Sequence, residues 1–168
     1  RYNQADRDID RLIFSSLLKF DSRGLPVGDL AADWQISSDG TRYVVNLRDN
    51  AVWHDGTALS SQDVLYTVSL MQSDSSLVPE DLRSFWKLVQ VTALSDLSLE
   101  FSLPYSFAPF LDYLTFQILP SHLLGNLTID ELVDHPFNLA PIGSGPYRFR
   151  EFTLTDGKID GVGLDAFE

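Results

Sequence analysis

Residues 30–71 read LAADWQISSDGTRYVVNLRDNAVWHDGTALSSQDVLYTVSLM, and the patterns in this stretch decide the fold. In its first part, apolar residues alternate with polar ones on both sides of Asp39-Gly40, as expected for two strands joined by a tight turn. A two-residue turn at this point gives two cross-strand pairs of apolar side chains, Ile36 with Tyr43 and Trp34 with Val45. Both pairs lie on one face, so the turn and the hydrophobic pattern predict the same antiparallel hairpin.

The end of the same stretch predicts a helix. Ser60-Ser61-Gln62-Asp63 resembles a capping box, in which a serine hydroxyl accepts a backbone N–H at the helix start and the acidic side chain accepts another in return. The residues that follow place apolar side chains at helical spacing, namely Val64, Leu65, Val68 and Met71. We expect these four side chains to form the buried stripe of the helix.

The segments before this stretch predict one helix and one extended connection. Residues 8–18 carry apolar side chains at helical spacing, with Asp6 or Asp8 as the N-cap. The sequence Asp21-Ser22-Arg23-Gly24 predicts a turn, and the chain is expected to be extended at Leu25-Pro26.

The segments after it predict two more hairpins. Residues 88–103 favour a three-residue loop at Leu94-Ser95-Asp96, because a two-residue loop would set Val91 opposite Glu100. The expected apolar pairs are Ala93 with Leu97, Val91 with Leu99 and Val89 with Phe101. A last hairpin is expected to turn at Asp156-Gly157, with its second strand running to Glu168. Residues 121–125 and 128–135 are expected to form short helices. Strand pairs with interspersed helices make the fold α+β, with mixed or antiparallel sheets.

Composition narrows the range of functions. The chain has 24 acidic and 12 basic residues, a net charge of −12, which repels nucleic acid and anionic lipid. It has no cysteine, which excludes disulfides and thiolate chemistry, and its three histidines are too far apart for a local zinc motif. No metal and no cofactor is therefore expected. The chain starts at Arg1 without an initiator Met and ends inside a predicted strand, so we expect a piece of a longer protein.

The order of these elements resembles the bacterial extracellular solute-binding proteins of family 5, the substrate-binding subunits of ABC importers for peptides and nickel. The shared pattern is a hairpin with Asp-Gly at its tip, then Leu47-Arg48, then Trp53-His54-Asp55-Gly56-Thr57, then a helix opened by Ser60 and Asp63. Three more segments fit the same family: residues 13–21 (IFSSLLKFD), 118–122 (ILPSH) and 141–147 (PIGSGPY). The resemblance covers nearly the whole chain.

The resemblance implies part of the first lobe of a two-lobed, periplasmic-binding-protein-like fold, with the second lobe absent. Residues of about 30–140 would form a subdomain inserted into that lobe, and residues 1–29 and 141–168 would belong to its main subdomain. In the family the ligand lies between the lobes. The implied contact residues are Phe14, Ser15 and Ser16 at the helix-to-strand corner and Gly143, Ser144 and Gly145 in the glycine turn.

Each of these assignments has an alternative. Phe14 could instead pack in the core, and the glycine turn could serve the fold alone. Many peptide-binding relatives have an acidic residue where this chain has Ser15, which argues against recognition of a positively charged ligand end at this corner. The aromatic residues between 105 and 116 are interpreted as a helix packed on the sheet, the alternative being the lining of an apolar or sugar-stacking pocket.

The His54-Asp55 pair is not interpreted as catalytic. Adjacent residues on an extended segment point to opposite faces, so the two side chains are not expected to form an acid–base couple. We interpret the segment as a structural turn in which Trp53 packs inward. A hydrolase is disfavoured because the sequence has no Gly-x-Ser-x-Gly elbow and no metal motif.

The resemblance therefore implies a binding module and not an enzyme. The expected function is to capture peptides or similar solutes between two lobes and deliver them to a membrane permease. We expect a monomer outside the cytoplasm, periplasmic or lipid-anchored at the outer face of the cell membrane. The alternatives are the same class of importer with an oligosaccharide, nickel complex, haem or opine as ligand, and a ligand-sensing domain of a bacterial transcription regulator with the same fold.

Overall fold

The computed structural model describes residues 4–167, with side chains from Asp8 onward. The helices are α1 (Gln4–Ile13), α2 (Ser61–Met71), α3 (Glu80–Trp86), α4 (Ser121–Leu124) and α5 (Ile129–Leu132), and 3₁₀ helices cover Ala108–Leu114 and Pro136–Leu139. The strands are β1 (Leu18–Phe20), β2 (Pro26–Gly28), β3 (Ala31–Ile36), β4 (Arg42–Leu47), β5 (Gln90–Ser95), β6 (Ser98–Ser102), β7 (Tyr147–Thr155) and β8 (Lys158–Ala166). Every strand pairing is antiparallel among the described residues, which confirms the predicted α+β class.

A four-stranded sheet in the order β3-β4-β6-β5 forms the centre of the molecule. The first hairpin has the predicted register, with Trp34 opposite Val45 and Ile36 opposite Tyr43. The connection is longer than the predicted two residues. The Gly40 N–H donates to the Ser37 carbonyl and closes the turn, and the Ser37 N–H donates to the Arg42 carbonyl where the strands begin to pair. Gly40 takes a φ of +68°, the left-handed conformation that favours glycine.

The predicted register of the second hairpin is wrong by two residues. Val91 lies opposite Phe101 and Ala93 opposite Leu99, and the loop contains only two residues, Asp96 and Leu97. The register shifts near Leu94, between Ala93 and Ser95. The bulge adds one residue to β5 and shifts the strand pairing by one position. A two-residue loop can therefore still place apolar side chains opposite each other.

Helix α2 has the predicted start, but its buried surface is wider than the predicted stripe: Leu65 and Met71 are only half-buried, and Tyr66 and Leu70 are buried as well. The Ser60 hydroxyl accepts the Gln62 N–H at 3.3 Å and the Asp63 carboxylate accepts the Ser60 N–H at 2.8 Å, so the capping box is confirmed. Val64 and Val68 are almost fully buried against the central sheet cluster. The short helices at residues 121 and 129 are also present, although α5 ends at Leu132, before the predicted limit.

The aromatic segment packs in the core, as interpreted from the sequence. The helix there is of the 3₁₀ type, with three residues per turn, and the spacing of Phe107, Phe110 and Tyr113 matches that repeat. Phe110 is fully buried and lies 5.7 Å, centroid to centroid, from Phe101 of β6. Tyr105 is exposed and does not share this environment.

Helix α1 ends at Ile13, five residues before the predicted limit. Asp6 and Asp8 lie inside the helix and not before it, so neither is its N-cap; the Asp6 side chain lies outside the described residues. Leu17 belongs to an extended segment because its carbonyl accepts the N–H groups of Asp29 and Ala31. Leu17 is fully buried there, so its apolar character reflects the core of the sheet and not the helix.

The last hairpin is confirmed. Asp156 and Gly157 both have positive φ, 52° and 74°, which is the turn that suits the twist of a two-residue hairpin. Strand β8 ends at Ala166, and Glu168 lies outside the described residues. Within residues 4–167 these two strands form a sheet of their own, and α1 packs against β7.

The predicted inserted subdomain remains a prediction. The central sheet and helices α2 to α5 all lie between residues 30 and 140, as it requires. The main apolar cluster, however, also takes in Leu17 and Leu18 from before this range and Ile142 from after it. The two parts of the chain therefore share a core.

Candidate functional site

An open cleft of about 770 Å³ lies beside the end of helix α1. Its wall contains the three predicted corner residues Phe14, Ser15 and Ser16. Aromatic and charged side chains complete it, among them Phe20, Arg11, Lys19 and Asp29. A concave site that combines apolar surface with a few polar groups is typical of solute binding.

Asp29 holds the corner in place. Its carboxylate accepts the Ser16 N–H at 3.0 Å and the Lys19 ammonium at 2.9 Å. The Ser16 hydroxyl donates to the Thr115 carbonyl at 3.1 Å, which ties the corner to the segment after the 3₁₀ helix. Sequence reasoning missed Asp29. The signal was its position directly after an extended segment, since antiparallel pairing of β1 with β2 brings residue 29 opposite Leu17.

Phe14 lies at the cleft and outside the two main apolar clusters. It is half-buried, with its ring 6.2 Å from that of Phe137, and it also lines the cleft. Phe14 therefore packs on one neighbouring aromatic ring and still faces the cleft.

The glycine turn meets the corner although the two are far apart in sequence. The Ser15 N–H donates to the Ser144 hydroxyl at 3.4 Å, and the Ser15 hydroxyl donates to the Ser144 carbonyl at 3.2 Å. The Gly145 N–H donates to the Ile13 carbonyl at 2.8 Å. The structure thus brings together the two predicted groups of site residues.

Both glycines of the turn are required by close packing. A Cβ atom on Gly143 would lie 1.9 Å from the Ile13 carbonyl oxygen, and one on Gly145 would lie 2.5 Å from that of Leu12. Among the described residues, the cleft wall includes Pro146 but not the three residues before it. The glycine turn therefore does not line the cleft itself but packs against the end of α1, next to the corner residues that do.

His54 binds the other side of the glycine turn. Its Nδ1 accepts the Gly143 N–H at 3.2 Å, and its Nε2 lies 2.9 Å from the Gly145 carbonyl oxygen. An Nδ1 that accepts leaves the proton on Nε2, where it can be donated to Gly145, so the ring is neutral. Burial lowers the pKa of His54, and the nearby charge of Arg148 lowers it further. The hydrogen bond with the Gly145 carbonyl and the charge of Asp55 raise it, but the net pKa is lowered.

Asp55 points to the opposite side, as predicted for adjacent residues. Its carboxylate lies 2.7 Å from His122 Nε2 and accepts the Thr57 N–H at 2.9 Å. Burial raises the pKa of Asp55, but the hydrogen bonds from His122 and Thr57 outweigh it and the net pKa is lowered. His54 and Asp55 therefore do not form an acid–base couple with each other.

Trp53 packs inward, and its partner is the helix cap. The ring is fully buried and its Nε1–H donates to Asp63 at 3.4 Å. Asp63, only 2% exposed, also accepts the N–H and hydroxyl of Ser121 at 2.8 and 2.7 Å. One carboxylate thus joins the Trp53 turn to the starts of α2 and α4.

The described residues contain neither a cluster of metal ligands nor a helix that could span a membrane. No three histidine, aspartate or glutamate side chains converge there as metal ligands would. None of the helices in that part of the chain combines the length and the apolar character needed to cross a bilayer.

Comparison with known proteins identifies the family to which the chain belongs. The model of the Bacterial extracellular solute-binding proteins, family 5 Middle, matches residues 26–159. The oligopeptide-binding protein AppA of Bacillus subtilis is 31% identical over 153 residues, which are 89% of this chain and 28% of that protein.

Solved structures agree. The Bacillus subtilis AppA structure in complex with a nonapeptide superposes with a TM-score of 0.85 at 28% identity, over 99% of this chain and 33% of that one. NikZ from Campylobacter jejuni, in complex with Ni(L-His), gives a TM-score of 0.75 at 33% identity, over 85% of this chain and 28% of that one.

The chain spans a third or less of the length of these relatives. The family is one of solute-binding proteins, which confirms the interpretation of the chain as a binding module and not an enzyme. The family model and the shared fold agree with the order of motifs along the sequence, and this chain belongs to the bacterial extracellular solute-binding proteins of family 5.

Proposed function

We propose that the chain is part of the substrate-binding component of an ABC importer that captures a peptide or similar solute and delivers it to a membrane permease. The cleft at the end of α1 is the observation that carries this proposal, because it is concave and lined by Phe14, Ser15 and Ser16. The relative that binds oligopeptides supports a peptide as the solute.

The cleft wall suits a peptide chemically. Phe14 and Phe20 offer apolar surface to side chains, and Arg11 and Lys19 offer charged groups to a polar backbone or terminus. Binding that combines such surfaces tolerates many side chains when the backbone supplies the hydrogen bonds. We assign the direct contacts to Phe14, Ser15 and Ser16, and support of these residues to Gly143, Ser144 and Gly145.

The proposed mechanism is capture by closure of two lobes. This chain would supply part of the first lobe, with residues of about 30–140 as an inserted subdomain, and the second lobe would close over the cleft. Ligand contacts from both lobes favour the closed state and shift the population towards it. We place the protein outside the cytoplasm, periplasmic or lipid-anchored, as a monomer that meets permease subunits when closed.

Native mass spectrometry of the complete protein, purified from its own host, tests the proposal. Release of peptides on denaturation is the expected result and would also define their length. Release of a metal complex would keep the importer class and replace the substrate, an outcome favoured by the 33% identity to the protein bound to Ni(L-His). A sugar, haem or opine would replace the substrate in the same way.

The position of the site is tested with a variant. Phe14→Ala should weaken binding of a peptide found by mass spectrometry by about tenfold, since an aromatic side chain in a pocket contributes on the order of 1–3 kcal/mol. The control is Tyr105→Ala, which removes an exposed aromatic ring outside the cleft wall. Equal affinities of the two variants, measured by calorimetry, would move the site away from this corner.

A further inference from the structure

We infer that His54 is a positioning residue of the proposed ligand site, which as a neutral ring clamps the glycine turn against α1 and so sets the place of Ser15 and Ser16. The inference rests on the proposed function, because it assigns a role within that site. It makes ligand affinity depend on the protonation of a side chain that does not itself line the cleft.

Three hydrogen bonds make the clamp. The His54 backbone N–H donates to the Gly143 carbonyl at 2.8 Å. The ring accepts the Gly143 N–H through Nδ1 at 3.2 Å and donates through Nε2 to the Gly145 carbonyl at 2.9 Å. The imidazole therefore spans the turn, with one nitrogen on each glycine, and only the neutral form with its proton on Nε2 can make both side-chain bonds.

The position of the glycine turn determines the position of Ser15 in the cleft wall. Gly143 and Gly145 lie so close to the last turn of α1 that neither has room for a Cβ atom. Gly145 donates to the Ile13 carbonyl, and Ser144 exchanges two hydrogen bonds with Ser15. A shift of the turn therefore moves the residue that lines the cleft, because close-packed groups transmit displacement.

Protonation opens the clamp. A second proton on the ring would occupy Nδ1 and face the Gly143 N–H, so an attractive contact becomes a repulsive one. The charged groups around the ring are Arg148, which disfavours the proton, and Asp55, which favours it but already binds His122. Phe167 packs on the ring at 4.7 Å between centroids and adds no charge. The neutral clamp is thus the form at neutral pH, and acid releases it.

Nuclear magnetic resonance of the complete, ¹⁵N-labelled protein tests the clamp without a ligand. At about pH 7.5 the His54 nitrogen shifts should report the Nε2–H form. On acidification the amides of Gly143, Gly145, Ser15 and Ser16 should move with the same midpoint as the ring. These amides should stop titrating in His54→Asn, in which the Oδ1 atom can accept the Gly143 N–H but cannot gain a proton.

Calorimetry with a nonapeptide retained from a randomised synthetic pool tests the consequence for binding. Wild-type affinity should fall by about threefold to tenfold from about pH 7.5 to about pH 5, the effect of one or two hydrogen bonds. His54→Asn keeps the acceptor for the Gly143 N–H but loses the bond to Gly145, so it should bind more weakly than wild type at the higher pH and lose this dependence. His122→Asn is the control, since that histidine contacts Asp55 and not the turn. It should keep the loss of affinity in acid, with a midpoint at or above that of wild type, because it frees the Asp55 carboxylate that favours the His54 proton.

The outcomes separate this inference from the function on which it rests. Corner amides that do not follow His54, or a pH profile that His54→Asn leaves unchanged, would overturn the inference even if peptides bind. A purely structural role would lower the melting temperature of His54→Asn and leave its affinity profile parallel to that of wild type, which also overturns it. Corner amides that titrate with His54 in a protein that binds no solute would support the clamp and count against the proposed function.

Discussion

Asp63 accepts four hydrogen bonds at a position almost closed to solvent, from Ser60, Trp53 and two groups of Ser121. The sequence predicts only the first of these, because a capping box is a local pattern. The partners at residues 53 and 121 come from segments that the fold brings together. No periodicity or spacing in one sequence reports such long-range contacts.

The removal of the Asp63 carboxylate should be costly. We expect Asp63→Ala to lower the free energy of unfolding by about 3 kcal/mol, since buried donors on Trp53 and Ser121 lose their acceptor. Urea denaturation of the complete protein measures the change. Asp49→Ala is the matched control, because Asp49 is exposed, and it should change the same quantity by no more than about 0.5 kcal/mol. Equal losses in the two variants would contradict the role of Asp63.

The glycine turn gives a second prediction for a single residue. Gly143→Ala should destabilise the protein by about 2–3 kcal/mol, because its Cβ would lie 1.9 Å from the Ile13 carbonyl oxygen and would force the turn away from α1. Thermal and urea denaturation measure the loss. Gly24→Ala is the comparison: Gly24 has a φ of +76° but open space around it, so its cost should be about 1 kcal/mol. A smaller effect at Gly143 than at Gly24 would contradict the close packing.

At the scale of elements, the two central hairpins show what a pattern can determine. In β3–β4 the turn residues and the alternation agree on one register, and the structure has it. In β5–β6 two registers place apolar side chains on the same face, and they differ by two residues. The choice between them depends on a bulge near Leu94, which leaves no mark in the alternation of residue types. The alternation of residue types therefore predicts which face of a strand is apolar, but not which residues of two strands lie opposite each other.

The β3–β4 turn carries a pH dependence of known sign. Hydrogen bonds from the Ser37 hydroxyl and from the N–H and hydroxyl of Thr41 lower the pKa of Asp39 from 3.8 to about 2. A lowered folded-state pKa means that the contribution of Asp39 to stability is complete above pH 3.8 and is lost as the pH falls towards 2. A carbon-13 titration of the carboxyl group should show the low midpoint. Thr41→Val should raise that midpoint, and an unchanged value would contradict the assigned cause.

At the scale of the whole molecule, the family could be predicted from the order of motifs, and the support of the site could not. The sequence predicts a structural turn at Trp53-His54-Asp55-Gly56 with Trp53 packed inward, and the structure has it. The role of His54 requires a contact with Gly143, 89 residues away. The contact between Ser15 and Ser144 likewise depends on the fold, because 129 residues separate them in sequence.

The 168-residue chain covers only part of the length of its relatives, which bears on its ability to bind a ligand alone. The 168 residues span 28–33% of the length of these relatives, and under the proposed closure of two lobes they would supply one wall of the cleft. Binding through half of the contacts loses the free energy that favours the closed state. We therefore expect the isolated 168-residue chain to bind no peptide with submicromolar affinity, whereas the complete protein binds peptides that it retains in native mass spectrometry.

Calorimetry of the two proteins with the same peptide measures this difference, after circular dichroism has established that the isolated chain is folded. Exposed apolar side chains on the last hairpin, Leu154 and Ile159, are the reason for that control, because they could promote association of the chain on its own. Submicromolar binding by a folded, monomeric chain would show that one wall suffices. In that case closure would serve delivery to the permease and not affinity, and the contacts at Phe14, Ser15 and Ser16 would have to supply nearly the whole binding free energy.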